Sequence, residues 1–361
     1  MTRKERLRRC YYGEELDRPA VYSRTNYPAN DPTYDRLKTY MQTHTDLKHI
    51  WNSVRHIEKS DPVERSTEPY SEDFERHRTV LHTPKGNLES TRLVSLKGQP
   101  SAQEKYLISN REDAEKYLSL PLPEIGGDVS SFFTAVKKMG DTGIVDVSLG
   151  QNTGFVNKLI GSQNFAIMSI TDRDILLALC ERQMTIILKR LDFLLSNGVG
   201  PYFNTAGQEQ ITPPLHSPKD FDDFNVTFDK PILDRIHNAG GRVHVHCHGS
   251  IKKVFQGFLD MGADVLHPFE APPMGDITPK EAKTMARDRI CLEGNIQINR
   301  FYEATPEDLQ AETEALIQTA FDDHKDLIVS ATASPYIRGE GETCFPQYKA
   351  MIDTVLAWHG A

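Results

Sequence analysis

The sequence predicts a (β/α)8 barrel, the architecture known as the TIM barrel. From about Asp141 onward, short runs rich in β-branched residues alternate with longer helical runs, which is typical of βαβ units around a parallel sheet. At least six such units are visible, and residues 19–24 supply one more strand near the start. No Gly-x-Gly-x-x-Gly follows an early strand, so the usual signature of the open dinucleotide-binding sheet is missing. The number of units therefore favours a barrel.

The predicted strands share a short apolar run that ends in polar side chains. They cover residues 19–24, 143–149, 200–204, 242–249, 263–270, 289–295 and 327–334. The predicted helices share apolar residues at helical spacing and cover residues 173–198, 218–241, 251–262, 278–288, 305–323 and 345–358. Pro231 should interrupt the second of these helices. Thr278 and Thr305 suit N-cap positions, and Asp308 completes a capping box after Thr305.

Residues from about 56 to 107 break this rhythm. The run HRTVLHTPKGNLESTRLVS at 77–95 reads as two strands joined by a Pro-Lys-Gly-Asn turn, which predicts a β-hairpin. The polar, Glu-rich stretch 57–76 before it should lie at the surface. We interpret 56–107 as an excursion from the barrel, which could cover the barrel mouth or meet a second subunit. The chain 1–361 is then one domain with a short N-terminal extension.

Composition narrows the function classes. The 361 residues include 42 Lys+Arg and 51 Asp+Glu, and the net charge of −9 argues against nucleic acid as a partner. No stretch approaches the roughly 18 apolar residues that span a bilayer, and residues 1–10 lack the apolar segment of a secretory signal. The five cysteines are scattered without a Cys-x-x-Cys pair, which predicts reduced thiols. We therefore expect a cytoplasmic protein that acts on a small molecule.

The densest group of chemically useful side chains is Arg-Val-His-Val-His-Cys-His-Gly at 242–249. His244, His246 and His248 are spaced two apart, so in a strand they share one face. The valines and Cys247 share the other face, which should meet the helices. The histidines then face the barrel interior, with His246 and His248 at the mouth, where barrel enzymes carry their active sites. His244 lies deeper and is expected to be a hydrogen-bonded core residue.

The next strand ends in Glu270, where a third ligand beside His246 and His248 would be needed. Two imidazoles and one carboxylate with an open position form a catalytic zinc composition. The alternative is that the histidines bind substrate or act as acid and base without a metal. Polar side chains in or after other strands add candidates. The predicted catalytic residues are Asp146, Glu209, His246 and His248, and the predicted substrate- or cofactor-binding residues are Arg24, Asn204, Asn295 and Ser334.

Five segments together resemble the uroporphyrinogen decarboxylase superfamily, in order over nearly the whole chain. They are ERLRRCYYGEELDRPAVYSR, GPYFNTAGQEQITPP, the stretch from FDKPILDRIHNAGG to HPFEAPPMGDIT, RICLEGNIQ and YKAMIDTVLAW. This resemblance implies a TIM barrel and an enzyme. The superfamily contains the true decarboxylases and the zinc-dependent corrinoid:thiol methyltransferases. The family resemblance also suggests a homodimer.

The methyltransferases of this family carry a His-x-Cys-Gly motif after this strand, a Glu at the end of the next and a Cys near the last. His246 matches the first position, His248 stands at the Cys, Glu270 matches the Glu, and the last strand (SATASPY) has no Cys. The resemblance implies a metal, zinc, held by His246, His248 and Glu270. It implies methyl transfer to a thiol or similar acceptor from a corrinoid or another donor. No Asp-x-His-x-x-Gly corrinoid motif is present, and the corrinoid could be carried by a separate protein.

Two alternatives stay open. The decarboxylases show an Arg-Gln-Ala-Gly-Arg run after the first strand, where this chain has Ser-Arg-Thr-Asn-Tyr. Only Arg24 could replace those arginines, although Asp146 could stabilise a protonated intermediate in a metal-free decarboxylation. The scarcity of cations there argues against uroporphyrinogen, which bears eight carboxylates. The other alternative is a protein that binds a corrinoid or tetrapyrrole without turnover.

Overall fold

The computed structural model describes residues 1–57 and 63–358, with the backbone alone at position 56. Eight parallel strands form one curled sheet. These strands are β1 (Ala20–Val21), β2 (Leu47–Asn52), β7 (Gly143–Ser148), β8 (Tyr202–Ala206), β9 (Arg242–His246), β10 (Val265–His267), β11 (Cys291–Ile296) and β12 (Leu327–Ala331). Their order in the sheet is β1-β12-β11-β10-β9-β8-β7-β2, which is the strand order of a TIM barrel.

The two edge strands of this sheet, β1 and β2, approach each other. The backbone N–H of Asp46 donates to the carbonyl of Val21 at 2.8 Å, immediately before β2 begins. Lys48 in β2 also forms a buried ion pair with Glu293 in β11, across the interior of the curl. No ladder joins β1 to β2 within the described residues. The sheet is therefore curled until its edges touch, and full closure of the barrel stays a prediction.

The helices lie outside the curl and cover its strands with apolar side chains. They are α1 (Arg3–Tyr12), α2 (Asp35–His44), α3 (Val54–Ile57), α4 (Arg111–Leu118), α5 (Ser130–Met139), α6 (Asn152–Ile160), α7 (Ser162–Thr171), α8 (Arg173–Ser196), α9 (Pro218–Phe221), α10 (Thr227–Asn238), α11 (Phe255–Met261), α12 (Pro279–Ala286), α13 (Arg300–Glu303), α14 (Pro306–Ala320) and α15 (Gly341–Leu356). The capping boxes at Thr278 and Thr305 form as predicted, each closed by an acidic residue three positions on. None of the helices in the described ranges is both long enough and apolar enough to span a bilayer.

Two local expectations need correction. Pro231 does not interrupt its helix: it lies within α10, and the irregular turn falls upstream at Asp222–Val226. The missing N–H of Pro231 removes only the bond to Thr227, the first residue of α10, so the helix tolerates it. The strand β2 was not predicted, because its only fully buried side chains are Lys48 and Trp51. That pattern lacks the apolar run that marks a barrel strand.

The excursion forms a second, antiparallel sheet. It contains β3 (Val63–Pro69), β4 (Phe74–Thr83), β5 (Gly86–Ser95) and β6 (Ala102–Lys105). The predicted hairpin is β4–β5, in which Thr83 pairs with Gly86 across the turn. Leu81 and Leu88 from this hairpin belong to an apolar cluster that includes Leu176 and Leu179 of α8. The sheet is attached through α4, which packs against both β5 and α8. Residues 58–62 of the predicted polar stretch lie outside the described residues.

Candidate active site

A pocket of about 250 Å³ lies within the curl and opens at the C-terminal ends of the strands. We call it the central pocket. Most of its lining side chains are polar, and they come from the loop after β1 and from β2, β7, β8, β9 and β11. The lining consists of Tyr22, Arg24, Thr25, Asn26, Lys48, His49, Ile50, Asp146, Asn204, Ala206, His244, His246 and Glu293. This is the position that barrel enzymes use for catalysis.

Strand β9 presents its histidines as the alternation predicts. His244 and His246 line the central pocket. Val243, Val245 and Cys247 are buried in the apolar core on the opposite face. His248 follows the strand, and its ring packs edge-on against the ring of His246, with centroids 4.7 Å apart. Two imidazoles therefore meet at the rim of the pocket.

His246 is held by a histidine that sequence reasoning missed, the fully buried His267 at the end of β10. The two Nδ1 atoms lie 2.8 Å apart, and the Nε2 of His267 lies 3.2 Å from the carbonyl oxygen of Ala331. Burial lowers the pKa of both imidazoles, and their proximity lowers that of His246 further, so both rings are neutral near pH 7. Each neutral ring carries one proton, and the tautomers must fit this chain of contacts.

One pair of tautomers satisfies both contacts of His267. The Nε2–H of His267 donates to Ala331, so its Nδ1 is a lone pair that accepts from the Nδ1–H of His246. The Nε2 of His246 is then left as the acceptor. The Nη1 of Arg24 lies 2.9 Å from Nδ1 and 3.5 Å from Nε2, and because a guanidinium only donates, in this tautomer it can donate to Nε2 alone. His267 thereby orients the lone pair of His246 in the way that an outer hydrogen-bond partner orients a catalytic or metal-binding histidine.

His248 and Glu270 form a second contact at the rim. The Nδ1 of His248 lies 3.1 Å from Oε2 of Glu270, which also accepts the backbone N–H of Gly249 at 3.1 Å. The Glu270 side chain is buried, whereas 37% of the His248 side chain is exposed. The structure thus brings the three predicted ligands next to one another, with His248 facing solvent.

The donor chemistry of these three side chains fits zinc, which proteins hold with imidazole nitrogens and carboxylate oxygens. In the structure, however, the three side chains are not arranged as ligands of one ion. Among the described residues, no group of three or more His, Cys, Asp or Glu side chains is placed to hold a metal ion. His248 and Glu270 are hydrogen-bonded to each other instead. An ion held by all three side chains would replace that hydrogen bond.

A charged network, most of which was not predicted, also contributes to the lining of the central pocket. Lys48 is paired with Glu293, and the Nε2 of His244 lies 3.3 Å from the same carboxylate. Although burial raises the pKa of Glu293, the Lys48 ammonium and His244 outweigh it and lower that pKa well below its usual range. Asp146 accepts from the hydroxyl of Tyr11 at 3.0 Å, and burial raises its pKa. The interior of the barrel is therefore polar and internally neutralised.

The signal that singled out Asp146 was a lone polar residue inside an apolar strand. Glu293 in RICLEGN and His267 in ADVLHPFE carry that same signal, and it would have found both. Lys48 carried no such signal, because half of the residues in its strand are polar. Its partner Glu293 is 245 residues away in the sequence.

The other predicted site residues lie in different parts of the structure. Arg24 and Asn204 line the central pocket with Asp146. Glu209 lines a second pocket beside it, which we call the lateral pocket. Asn295 lines a separate surface cleft that also contains Pro272 and Gln297. Ser334 lies in the half-buried loop after β12, outside the lining of the central pocket.

Residues 157–335 match the protein-family model described as uroporphyrinogen decarboxylase (URO-D). The chain belongs to the uroporphyrinogen decarboxylase superfamily. The resemblance that the sequence segments carried is therefore confirmed. The matched region of this URO-D superfamily member contains β8 to β12, and with them His246, His248, His267 and Glu270.

Comparison of structures supports the same fold. A methyltransferase from Methanosarcina mazei matches with a TM-score of 0.64 and 12% identity, and the match covers 100% of each chain. At that identity the likeness concerns the fold alone. A 3-keto-D-glucoside 4-epimerase from E. coli matches with a TM-score of 0.34 and 12% identity, and the match covers 62% of this chain and 92% of that one. A TM-score this low does not establish a shared fold. No curated protein matches the sequence.

Proposed function

We propose that this URO-D superfamily member is a methyltransferase that moves a methyl group from a corrinoid, carried by a separate protein, or from another donor, to a small thiol or similar acceptor. The observation that carries the proposal is the contiguity of His246, His248 and Glu270 at the rim of the central pocket. These three side chains would hold the metal, for which zinc is the first candidate. Bound there, zinc would favour the thiolate form of an acceptor thiol.

The size of the central pocket supports a small substrate. Its volume of about 250 Å³ lies below the range of roughly 300–1,000 Å³ that is usual for drug-sized ligands. A tetrapyrrole with eight carboxylates is much larger, and it needs several cationic partners. The central pocket offers Arg24 and Lys48, of which Lys48 is already paired with Glu293. Uroporphyrinogen therefore fits this pocket poorly, whereas a small thiol fits it well.

The residues around the rim have distinct roles in this proposal. His267 fixes the tautomer of His246 so that Nε2 carries the available lone pair. Arg24 places a positive charge beside that ring, where it can bind an anionic group of the substrate. Asn204 and Asp146 line the pocket wall and would orient the acceptor. The full-length likeness in fold to the Methanosarcina mazei methyltransferase agrees with this proposal.

Zinc binding gives the first test. Purified protein, stripped with chelator, is titrated with zinc in competition with a chromophoric chelator. One zinc per chain is expected, and His248→Ala should weaken binding by about 10- to 100-fold or more, the loss seen even for outer partners of metal ligands. His82→Ala, which removes an exposed histidine of the hairpin, is the matched control and should leave zinc affinity unchanged. Equal affinities for the His248 and His82 variants would contradict the proposed site.

Turnover gives the second test. Methylcobalamin and 2-mercaptoethanol serve as donor and acceptor, and loss of the methyl–cobalt bond is followed by visible absorbance. We expect demethylation that depends on added zinc and is lost in His248→Ala. Demethylation that is the same in zinc-loaded and chelator-treated protein would contradict a metal-dependent transfer.

Metal-free decarboxylation is the second candidate, and the placement of Asp146 favours it. This carboxyl is buried in the wall of the central pocket, within reach of Lys48 and bonded to Tyr11. It could stabilise a protonated intermediate while Arg24 binds a substrate carboxylate. This candidate predicts that carbon dioxide release from porphobilinogen, a carboxylated pyrrole, survives chelator and is lost in Asp146→Asn. If the protein releases no carbon dioxide but transfers methyl groups, only the first proposal stands.

A further inference from the structure

The lateral pocket is a second concave site at the same end of the barrel. Its volume is about 660 Å³, and its walls come from the ends of β2, β7 and β8 and from α6 and α8. It meets the central pocket at Ala206, which lines both. Its volume falls in the range usual for small-molecule sites. Its chemistry differs from that of its neighbour.

The lining of the lateral pocket is cationic. It contains Arg55, Lys158 and Arg190 against one acid, Glu209, in a chain whose net charge is −9. Arg55 and Lys158 are exposed, and neither forms an ion pair with any acid of the described ranges 1–57 and 63–358. Arg190 is buried and donates to the carbonyl of Leu149. An anionic group in this pocket would therefore meet a locally positive field.

Helix α6 adds to this field. It has nine residues and begins at Asn152, with Gln151 as its N-cap, and Gln151 and Gly154 line the pocket. The N-terminus of a helix carries partial positive charge and favours anions. A second, independent feature points the same way. Asn157 lines the pocket and is 5% exposed, and its buried amide nitrogen Nδ2 has no hydrogen-bond partner.

The lateral pocket also contains a buried hydrogen-bond acceptor without a partner. Glu209 lines the lateral pocket, and its buried Oε2 also lacks a hydrogen-bond partner. A buried polar atom without a partner is unfavourable, so a ligand that satisfies such atoms is favoured. A plain anion would be repelled by Glu209. A ligand that carries both an acid group and a hydrogen-bond donor would satisfy both features.

We propose that the lateral pocket binds a small organic carboxylate that also bears a hydroxyl or ammonium donor. The carboxylate lies against Lys158, Arg55, the amide of Asn157 and the first turn of α6, and the donor lies against Glu209. This inference rests on the lateral pocket and does not depend on the proposed methyl transfer or on a metal.

Isothermal titration calorimetry on the full chain tests this site with four probes, namely malate, aspartate, succinate and inorganic phosphate. Malate or aspartate is expected to bind at least 5-fold more tightly than succinate, which lacks the donor. Lys158→Ala should weaken that binding at least 5-fold. The matched control Lys189→Ala, on the exposed face of α8, should leave it unchanged.

Asn157→Ala gives an independent variant, checked for folding by circular dichroism, and it should also weaken malate or aspartate binding. Three results would overturn the proposal: succinate or phosphate that binds as tightly as malate and aspartate, binding that Lys158→Ala does not alter, or no binding tighter than about 10 mM by any probe. Because none of these measurements involves zinc or methylcobalamin, failure here is separate from failure of the proposed function.

Discussion

The central and lateral pockets handle charge in opposite ways. In the central pocket Lys48 and Glu293 neutralise each other and are buried, whereas in the lateral pocket Arg55 and Lys158 are exposed. A buried charge must be paired because removing it from water is expensive, but an exposed cation is stabilised by water until a ligand arrives. The buried charges of the central pocket must therefore stay paired for the fold to be stable. Arg55 and Lys158 of the lateral pocket are exposed to water and need no such partner.

The largest expected effect comes from breaking the buried pair. Glu293→Gln leaves the Lys48 ammonium buried without its counter-charge, and we expect a loss of about 3–5 kcal/mol in the free energy of unfolding. Urea unfolding followed by circular dichroism measures it. Glu89→Gln is the matched control, because it removes a glutamate whose pair with Arg78 lies at the surface of the hairpin. That control should lose less than about 1 kcal/mol. Similar losses for both variants would refute the structural role of the central pair.

A smaller effect concerns the wall between the lateral pocket and α10. Asp229 is buried and accepts from the amides of Gln151 and Gln208, each at 3.0 Å. Burial raises the pKa of Asp229 to about 6, against 3.8 for an aspartate in the unfolded chain. The folded state thus holds this proton more tightly than the unfolded state. The stability that it contributes is complete below about pH 4 and is lost as the pH rises through 6.

Asp229→Asn should abolish this titration. The free energy of unfolding of the wild type, relative to the variant, should therefore fall by about 2–3 kcal/mol between pH 4 and pH 7. Denaturant unfolding at several pH values measures it. Asp234→Asn, at an exposed site of α10 paired with Lys230, is the control and should show little change. A difference that stays constant with pH would show that Asp229 is ionised normally.

The smallest expected effect concerns a cation of the lateral pocket. Lys158→Ala removes an exposed cation of the lateral pocket, and it should change the free energy of unfolding by no more than about 0.5 kcal/mol. The same urea measurement applies, at low ionic strength so that any electrostatic contribution is largest. A loss above about 1 kcal/mol would mean that this lysine has a structural partner, and that the two pockets differ less than their geometry indicates.

Much of the fold could be predicted from local patterns. The barrel strands from 143 onward, the hairpin at 77–95 and the capped helices after Thr278 and Thr305 all carry signals within about 20 residues. Strand β2 carries none, because Lys48 is buried only by virtue of Glu293 on β11. The predicted break at Pro231 was wrong because the helix continues through this proline with the loss of one backbone hydrogen bond. Pattern reading fails where a distant contact decides burial.

The site was predictable in part for the same reason. The spacing of His244 and His246 within β9 fixed their common face, whereas His248 lies after the end of that strand, where the structure places Glu270 against it. His267 lies in the neighbouring strand, and its contact with His246 depends on the stagger of β9 and β10, which pairs these two residues. Asn295 lies immediately before Ile296, the last residue of β11, and Ser334 lies after β12, but neither belongs to the lining of the central pocket. Strand ends are necessary for this site and do not by themselves define it.

Local periodicity and short motifs were enough to predict the alternation of strands and helices and the face that each strand buries. They were also enough to predict the family to which the chain belongs. Only the tertiary structure decided which charges neutralise each other, which histidine orients which, and that two pockets of opposite character meet at Ala206. Those features depend on the order, curl and stagger of strands that lie far apart in the chain, and no single segment encodes them.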